Sequence, residues 1–144
     1  MTVQNILKLK GDSSVITVPP TATLGEAAEV LSSHRIGAVV VSETGSDVQG
    51  ILSERDIVRE LGRRGPTCLT DKVRNVMTAK IVSCTIADGA LGVMQRMTEG
   101  RFRHMPVMSG DRMVGFISIG DVVKARLAEL SMEKDALEGM IKGF

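Results

Sequence analysis

The sequence predicts an α+β fold: two β-α-β-β-α repeats packed with pseudo-twofold symmetry, a short lead-in helix before each, and a long C-terminal helix. Three observations predict it. One apolar pattern occurs twice, at an offset of about 65 residues. Within each copy the period of apolar positions switches between that of a strand and that of a helix. A unit of about 65 residues would bury only around 60% of its surface and leave one sheet face uncovered, so the two copies, residues 1–65 and 66–144, must share a core. The whole chain of 144 residues, 43% of them hydrophobic, is long enough to build one.

Each element has its own signal. Val3-Gln4-Asn5-Ile6-Leu7 resembles Val73-Arg74-Asn75-Val76-Met77 at offset 70 and predicts the paired lead-in helices. Val15 to Val18 is a β-branched run stopped by Pro19-Pro20. Thr23-Leu24-Gly25-Glu26 has the capping-box form, and Leu24, Ala27, Ala28 and Leu31 give the apolar stripe of a helix ending near Gly37. Ala38 to Val41 and Val48 to Ser53 predict strands around a turn at Gly45, with a second helix starting at Ser53 or Glu54. Gly62 to Thr70, containing Gly65-Pro66, reads as the linker. The second copy repeats the order: a strand at Ile81 to Cys84, a helix from about Asp88 to Gly100, strands at His104 to Met108 and Met113 to Ser118, and a last helix from about Ile119.

Composition removes several functional classes. Eighteen Lys and Arg against seventeen Asp and Glu leave a net charge of +1, too little to attract nucleic acid or an anionic membrane. Aromatics are 2% of the chain, so a bound base is expected to lie between aliphatic side chains rather than on a stacking platform. Cys68 and Cys84 lie sixteen positions apart with no ligand-spaced partners, which signals neither a disulfide framework nor zinc. The nine Met read as gap-filling core residues, not a metal site. His34-Arg35 and Arg63-Arg64 read as charges suited to helix C-termini. No signal peptide or apolar run of membrane-spanning length is present, so a reducing cytoplasm is the expected compartment. No phosphate-binding Gly-rich loop, dinucleotide fingerprint, HExxH or nucleophile elbow occurs, so no enzyme activity is expected.

The strongest internal match sets Gly50-Ile51-Leu52-Ser53-Glu54-Arg55-Asp56-Ile57-Val58 over Gly115-Phe116-Ile117-Ser118-Ile119-Gly120-Asp121-Val122-Val123, with four of nine positions identical. With Arg101-Phe102-Arg103-His104-Met105-Pro106-Val107 before the second hairpin, the chain resembles a tandem pair of CBS (cystathionine β-synthase) domains of the stand-alone bacterial type. The resemblance spans Val3 to about Leu130. It implies a regulatory module, such as an energy sensor, that takes adenosine-containing small molecules in clefts between repeats: AMP first, with ATP or NAD(H) as further ligands and no metal.

The chemistry also stands apart from the name. One carboxylate can accept from both hydroxyls of a ribose, and Asp56 and Asp121 suit that role, each three residues after a Ser (Ser53, Ser118) at a helix start able to face a phosphate. Ser-x-x-Asp is equally a helix cap; recurrence at equivalent places is what favours a ligand. By resemblance Arg103 and His104 lie beside a phosphate in one cleft and Arg55 in the other, while Thr17, Ser83 and Thr78 border the adenine. Because Gly37-Ala38 stand where the second copy has Arg103-His104, two unequal sites are expected. Val123, Leu127, Leu130, Leu137, Ile141 and Phe144, interrupted by Lys134, form a helical seam suited to packing on the chain's own lead-in helices or to a homodimer. The regulated protein is unknown from sequence. The competing expectation is an interaction scaffold with vestigial clefts.

Overall fold

The computed structural model describes residues 1–11 and 14–141. In chain order these form α1 (Val3–Lys10), β1 (Thr17–Val18), α2 (Leu24–His34), β2 (Ala38–Val41), β3 (Gly50–Ser53), α3 (Glu54–Arg64), α4 (Ala90–Gly100), β4 (His104–Ser109), β5 (Arg112–Ser118) and α5 (Ile119–Ile141). β1 pairs in parallel with β2, and β2 pairs antiparallel with β3, as a three-stranded sheet. β4 and β5 make the matching antiparallel hairpin of the second repeat. Phe144, the last residue of the expected α5 seam, lies outside the described residues.

The helix signals act as their chemistry requires. The Thr23 hydroxyl accepts from the Glu26 N–H, and the Glu26 carboxylate accepts from the Thr23 N–H, starting α2 as a capping box. α2 ends earlier than Gly37, where Arg35 turns left-handed at φ 53° and the Ile36 N–H reaches back to the Leu31 carbonyl at 3.1 Å. The second repeat does the same: Arg101 has φ 57°, and Phe102 donates to Met97. A left-handed non-glycine residue is thus part of the repeat's helix stop.

Two expected elements differ. Ile81 to Cys84 forms no strand; only Cys84 bridges in parallel to Val107. In the first repeat the ladder runs Thr17 to Val40 and Val18 to Val41. At Val40's place the second repeat has Pro106, which lacks the N–H needed to carry the ladder past Cys84. The second lead-in is not an α-helix either. Val73–Asn75 is a single 3-10 turn, too short to gain from cooperative α-helix propagation.

The lead-ins nevertheless dock alike. Val3 and Gln4 donate to the carbonyls of Asp88 (2.8 Å) and Ile86 (3.1 Å), and Val73 and Arg74 donate to the matching carbonyls of Ala22 (2.8 Å) and Pro20 (3.2 Å). Val73 and Cys68 therefore join the first repeat's core, with Leu24, Val39 and Leu52. α1 precedes the first repeat in the chain but buries Val3 and Ile6 in the second repeat's core, among Val93, Met97, Met105 and Ile117. The chain between α1 and β1 must then cross from one repeat to the other. The hairpin tips also meet across this boundary, where the Met113 N–H donates to the Ser46 carbonyl at 2.8 Å.

The repeated glycines make this docking possible. A Cβ on Gly115 would stand 2.8 Å from Leu7 Cδ2, and one on Gly50 would collide with Met77 Sδ. The first residue of the doubled signature is therefore glycine for packing: each lead-in lays a side chain directly on the strand.

Ile6→Ala removes a side chain only 1% exposed and is expected to cost roughly 2–5 kcal/mol in denaturant unfolding. Leu9→Ala on the open side of the same helix, 62% exposed, should stay within about 0.5 kcal/mol of the parent.

Candidate functional site: a cleft between the repeats

The crossing of the chain leaves a cleft of about 880 Å³. One wall is the C-terminal turn of α1 with Leu7, Lys8 and Lys10; another is β5 with Val114, Gly115 and Phe116, leading to Ser118 and Asp121 at the start of α5. The first repeat closes the opposite side with Val15, Ile16, Arg35, Ile36, Gly37 and Ala38, and His104 stands between. Aliphatic side chains line much of it, as expected, but an aromatic pair is present too: His104 stacks on Phe116 with ring centroids 5.5 Å apart and planes 19° from parallel.

Ser118 and Asp121 form the helix-start pair that the sequence suggests. The Ser118 N–H donates to Asp121 Oδ2 at 2.8 Å, and the Asp121 N–H donates to Ser118 Oγ at 3.1 Å. Asp121 Oδ2 also takes the Lys10 ammonium at 2.9 Å, which in turn donates to the Phe116 carbonyl at 2.6 Å. Burial pushes the Asp121 carboxyl up, but the Ser118 N–H and the Lys10 ammonium outweigh it and hold it below the ordinary value. Among the described residues Asp121 Oδ1 has no protein partner, so one oxygen of this carboxylate is available to a ligand hydroxyl.

Asp56, the counterpart, has protein partners on both oxygens. Its Oδ2 accepts from the Ser53 N–H (2.9 Å) and Ser53 hydroxyl (3.1 Å), and its Oδ1 accepts from Arg59 at 3.0 Å. The two carboxylates share a cap but not an availability. Arg55 lies exposed on the first turn of α3. A second groove of about 510 Å³ is lined by Glu54, Ile57 and Val58 with Arg35 and Gly37, without Arg55. Asp56 is not in its lining.

The remaining sequence candidates separate. His104, the first residue of β4, enters the cleft, while Arg103, just before the strand, is exposed; its carbonyl accepts from the Ile119 N–H at 2.8 Å. Burial lowers the His104 pKa, with Lys10 adding to the effect, so near neutral pH it is an uncharged donor or acceptor rather than a phosphate-binding cation. Thr17 sits in β1, one residue past the lining residue Ile16. Ser83 is exposed, and its carbonyl accepts from Arg96. Thr78 is exposed and spends its backbone on a bridge to Ile51.

Sequence reasoning missed Lys10, Lys8 and Arg35. Arg35 read as a charge suited to a helix C-terminus, the two lysines carried no motif, and only the packing of α1 on the second repeat brings all three into the lining of one cleft. Cys68 and Cys84 are free and buried, and burial pushes the Cys84 thiol up to about 11, which leaves it inert at neutral pH. Among the described residues no cluster of His, Cys, Asp and Glu could hold a metal, and no helix is long and apolar enough to cross a membrane.

The CBS domain family model matches residues 11–63 and 73–128, and the chain belongs to that family. It is 34% identical over 149 residues to the mitochondrial CBS domain-containing protein CBSX3 of Arabidopsis thaliana, covering 99% of this chain and 72% of the relative. The crystal structure of the CBS-domain protein ATU1752 from Agrobacterium tumefaciens matches with a TM-score of 0.83 and 44% identity, over 88% of this chain and 99% of that one. The CBS domain protein PAE2072 from Pyrobaculum aerophilum, solved in complex with AMP, shares the fold at a TM-score of 0.77 and 24% identity, over 92% and 99% of the two chains.

Because folding lowers the Asp121 pKa, the stabilisation from its ion pair is full above the unfolded carboxylate value of about 3.9 and is lost as pH falls through the lower folded value. Asp121→Asn is expected to cost about 1 kcal/mol at pH 7. In denaturant titrations run at a series of pH values, its deficit should close in acid.

Proposed function

We propose that the chain is a non-catalytic regulatory module that binds an adenosine-containing ligand in the cleft between its two CBS repeats. The observation that carries this reading is Asp121 Oδ1, a cleft carboxylate oxygen with no protein partner among the described residues, set at a helix start and flanked by apolar walls. The cap fixes the carboxylate through Oδ2, leaving Oδ1 to accept from a ribose diol. Leu7, Ile16, Ile36 and Val114 offer the apolar surface an adenine needs. AMP binding by a structural relative supports this ligand class, with AMP the first candidate and ATP or NAD(H) next. Asp56, whose two oxygens are engaged, argues for one ligand per chain rather than two.

The cleft is walled by both repeats, so a ligand shifts their arrangement by its difference in affinity for two states. A further protein would read that shift. α5 supports self-association: Val123, Leu127, Leu130, Leu137 and Ile141 are 41–84% exposed, while the opposite face buries Val122 and Ala125 against the second repeat. This exposed seam also favours the second reading, a dimerising scaffold without a ligand. Two free cysteines suit a reducing cytoplasm.

Isothermal titration of nucleotide-stripped protein with AMP, ATP and NADH separates the readings. Saturable binding near one per chain, weakened about tenfold or more by Asp121→Ala, is the expected result. Absence of heat with all three, and of any melting shift at millimolar ligand, would favour the scaffold. In sedimentation equilibrium the protein should run at twice 15.4 kDa, and Leu127→Glu should shift it toward monomer.

A further inference from the structure

α5 runs on past the body that anchors it. The CBS family match ends at residue 128, whereas the helix continues to Ile141. From Leu130 to Ile141 every residue except Gly139 is exposed, and five of them are large and apolar: Leu130, Met132, Leu137, Met140 and Ile141. A helical stretch of this length held out in water is marginal by itself, so it needs a covering surface. α1 does not provide one, because it packs on the other side of α5, with Val122 and Ala125. The open side repeats at alternating steps of four and three through Val123, Leu127, Leu130, Lys134, Leu137 and Ile141, the spacing of a two-helix seam. It extends from the anchored turns, where Val123 is 41% and Leu127 61% exposed, to the projecting tip.

Resting on the self-association read above from this seam, we infer its direction and register: α5 pairs antiparallel with α5 of a second copy about a twofold axis near Met132, so that each projecting tip covers the anchored turns of its partner. Charge decides the direction. In a parallel, in-register pair each core residue meets its own copy, which stacks Lys134 on the partner's Lys134 and sets Glu133 beside the partner's Glu138. Reversing one helix about Met132 removes both of these contacts. Leu127 then faces the partner's Leu137, Val123 the partner's Ile141, and Leu130 the aliphatic stem of the partner's Lys134. Lys124, exposed on α5, comes beside the partner's Glu138 at both ends of the pair. Glu133 near its own copy at the axis is the like-charge cost that remains, one contact against two attractive ones. The arrangement sets the two copies of Asp121 roughly 33 Å apart along the helix direction at 1.5 Å per residue. Each cleft therefore lies at its own end of the dimer, with the partner's Ile141 seated on Val123, just past Asp121.

Sedimentation of the full chain over a range of concentrations reads the dimer constant of charge variants. Lys124→Glu and Glu138→Lys should each weaken the dimer about fivefold or more, since each turns two attractive contacts into repulsive ones. The double variant Lys124→Glu/Glu138→Lys should return to within about threefold of the parent, a margin that covers loss of the exposed Lys134 to Glu138 pair within the helix. Lys124 and Glu138 lie roughly 21 Å apart on one helix at 1.5 Å per residue, so only contacts between chains can restore the dimer. Tightening by Glu138→Lys would mark the parallel pair, in which it relieves Glu133, and would overturn the inference. Single variants with the parental constant, a double variant as weak as the singles, or a dimer that survives Leu127→Glu would overturn it too. Oxidation gives a second reading. Leu137→Cys should not link to its own copy, which stands roughly 15 Å away along the axis, and the native Cys68 and Cys84 are buried. Rapid formation of a disulfide-linked dimer would overturn the antiparallel arrangement. A chain that stays monomeric at every concentration would remove the self-association itself, while the ligand reading of the cleft stands or falls by its own titration.

Discussion

The burial of α1 in the second repeat is the constraint on which the molecule's other features depend. Val3 and Ile6 are removed from water among Val93, Met97 and Met105, and backbone donors of α1 are satisfied by the carbonyls of Asp88 and Ile86. The next strand, β1, belongs to the other repeat's sheet. The two ends of this connection therefore lie on different repeats, and Gly11, Ser14 and Val15 line the cleft. The N-terminal ammonium adds to this attachment, pairing with Glu129 on α5 at 2.8 Å.

The doubled signature serves packing and helix capping in both repeats. Gly50 and Gly115 admit the lead-in side chains; Ser53 with Asp56 and Ser118 with Asp121 cap the following helices. Repetition of these residues is fully accounted for by packing and capping, so repetition alone does not distinguish a working cleft from a vestigial one. The distinction lies in what else each aspartate meets. Arg59, one helical turn beyond Asp56, takes its second oxygen. The matching position after Asp121 is Lys124, and the cation that Asp121 meets instead is Lys10, on the oxygen already used by the cap.

Lys10 links the electrostatics of the cleft to its architecture. Together with the Ser118 N–H it holds the Asp121 carboxyl below its ordinary value, and it adds to the burial that lowers the His104 pKa. Its position depends on α1 being seated in the second repeat. A side chain that suits the end of a helix dipole thus also lends its charge to the wall of the cleft.

Much of this was legible from sequence because it is local. The capping box at Thr23, the hairpins, the Ser-Asp helix starts and the repeat itself are written in residues a few positions apart, where sterics and short-range hydrogen bonds decide. The shortened second sheet was legible in principle: Pro106, standing at Val40's place, already lacked the N–H that the expected strand at Ile81 to Cys84 would have required. What the sequence by itself determined is therefore two capped units with apolar faces too large to stand alone. Only the tertiary structure decided which unit α1 completes, and hence that Lys10 meets Asp121 across 111 positions of chain and that Arg35 shares their cleft. Docking a lead-in on either repeat satisfies the same local hydrogen bonds and buries a similar apolar face, so the choice rests on the connection between the repeats, which no local pattern encodes.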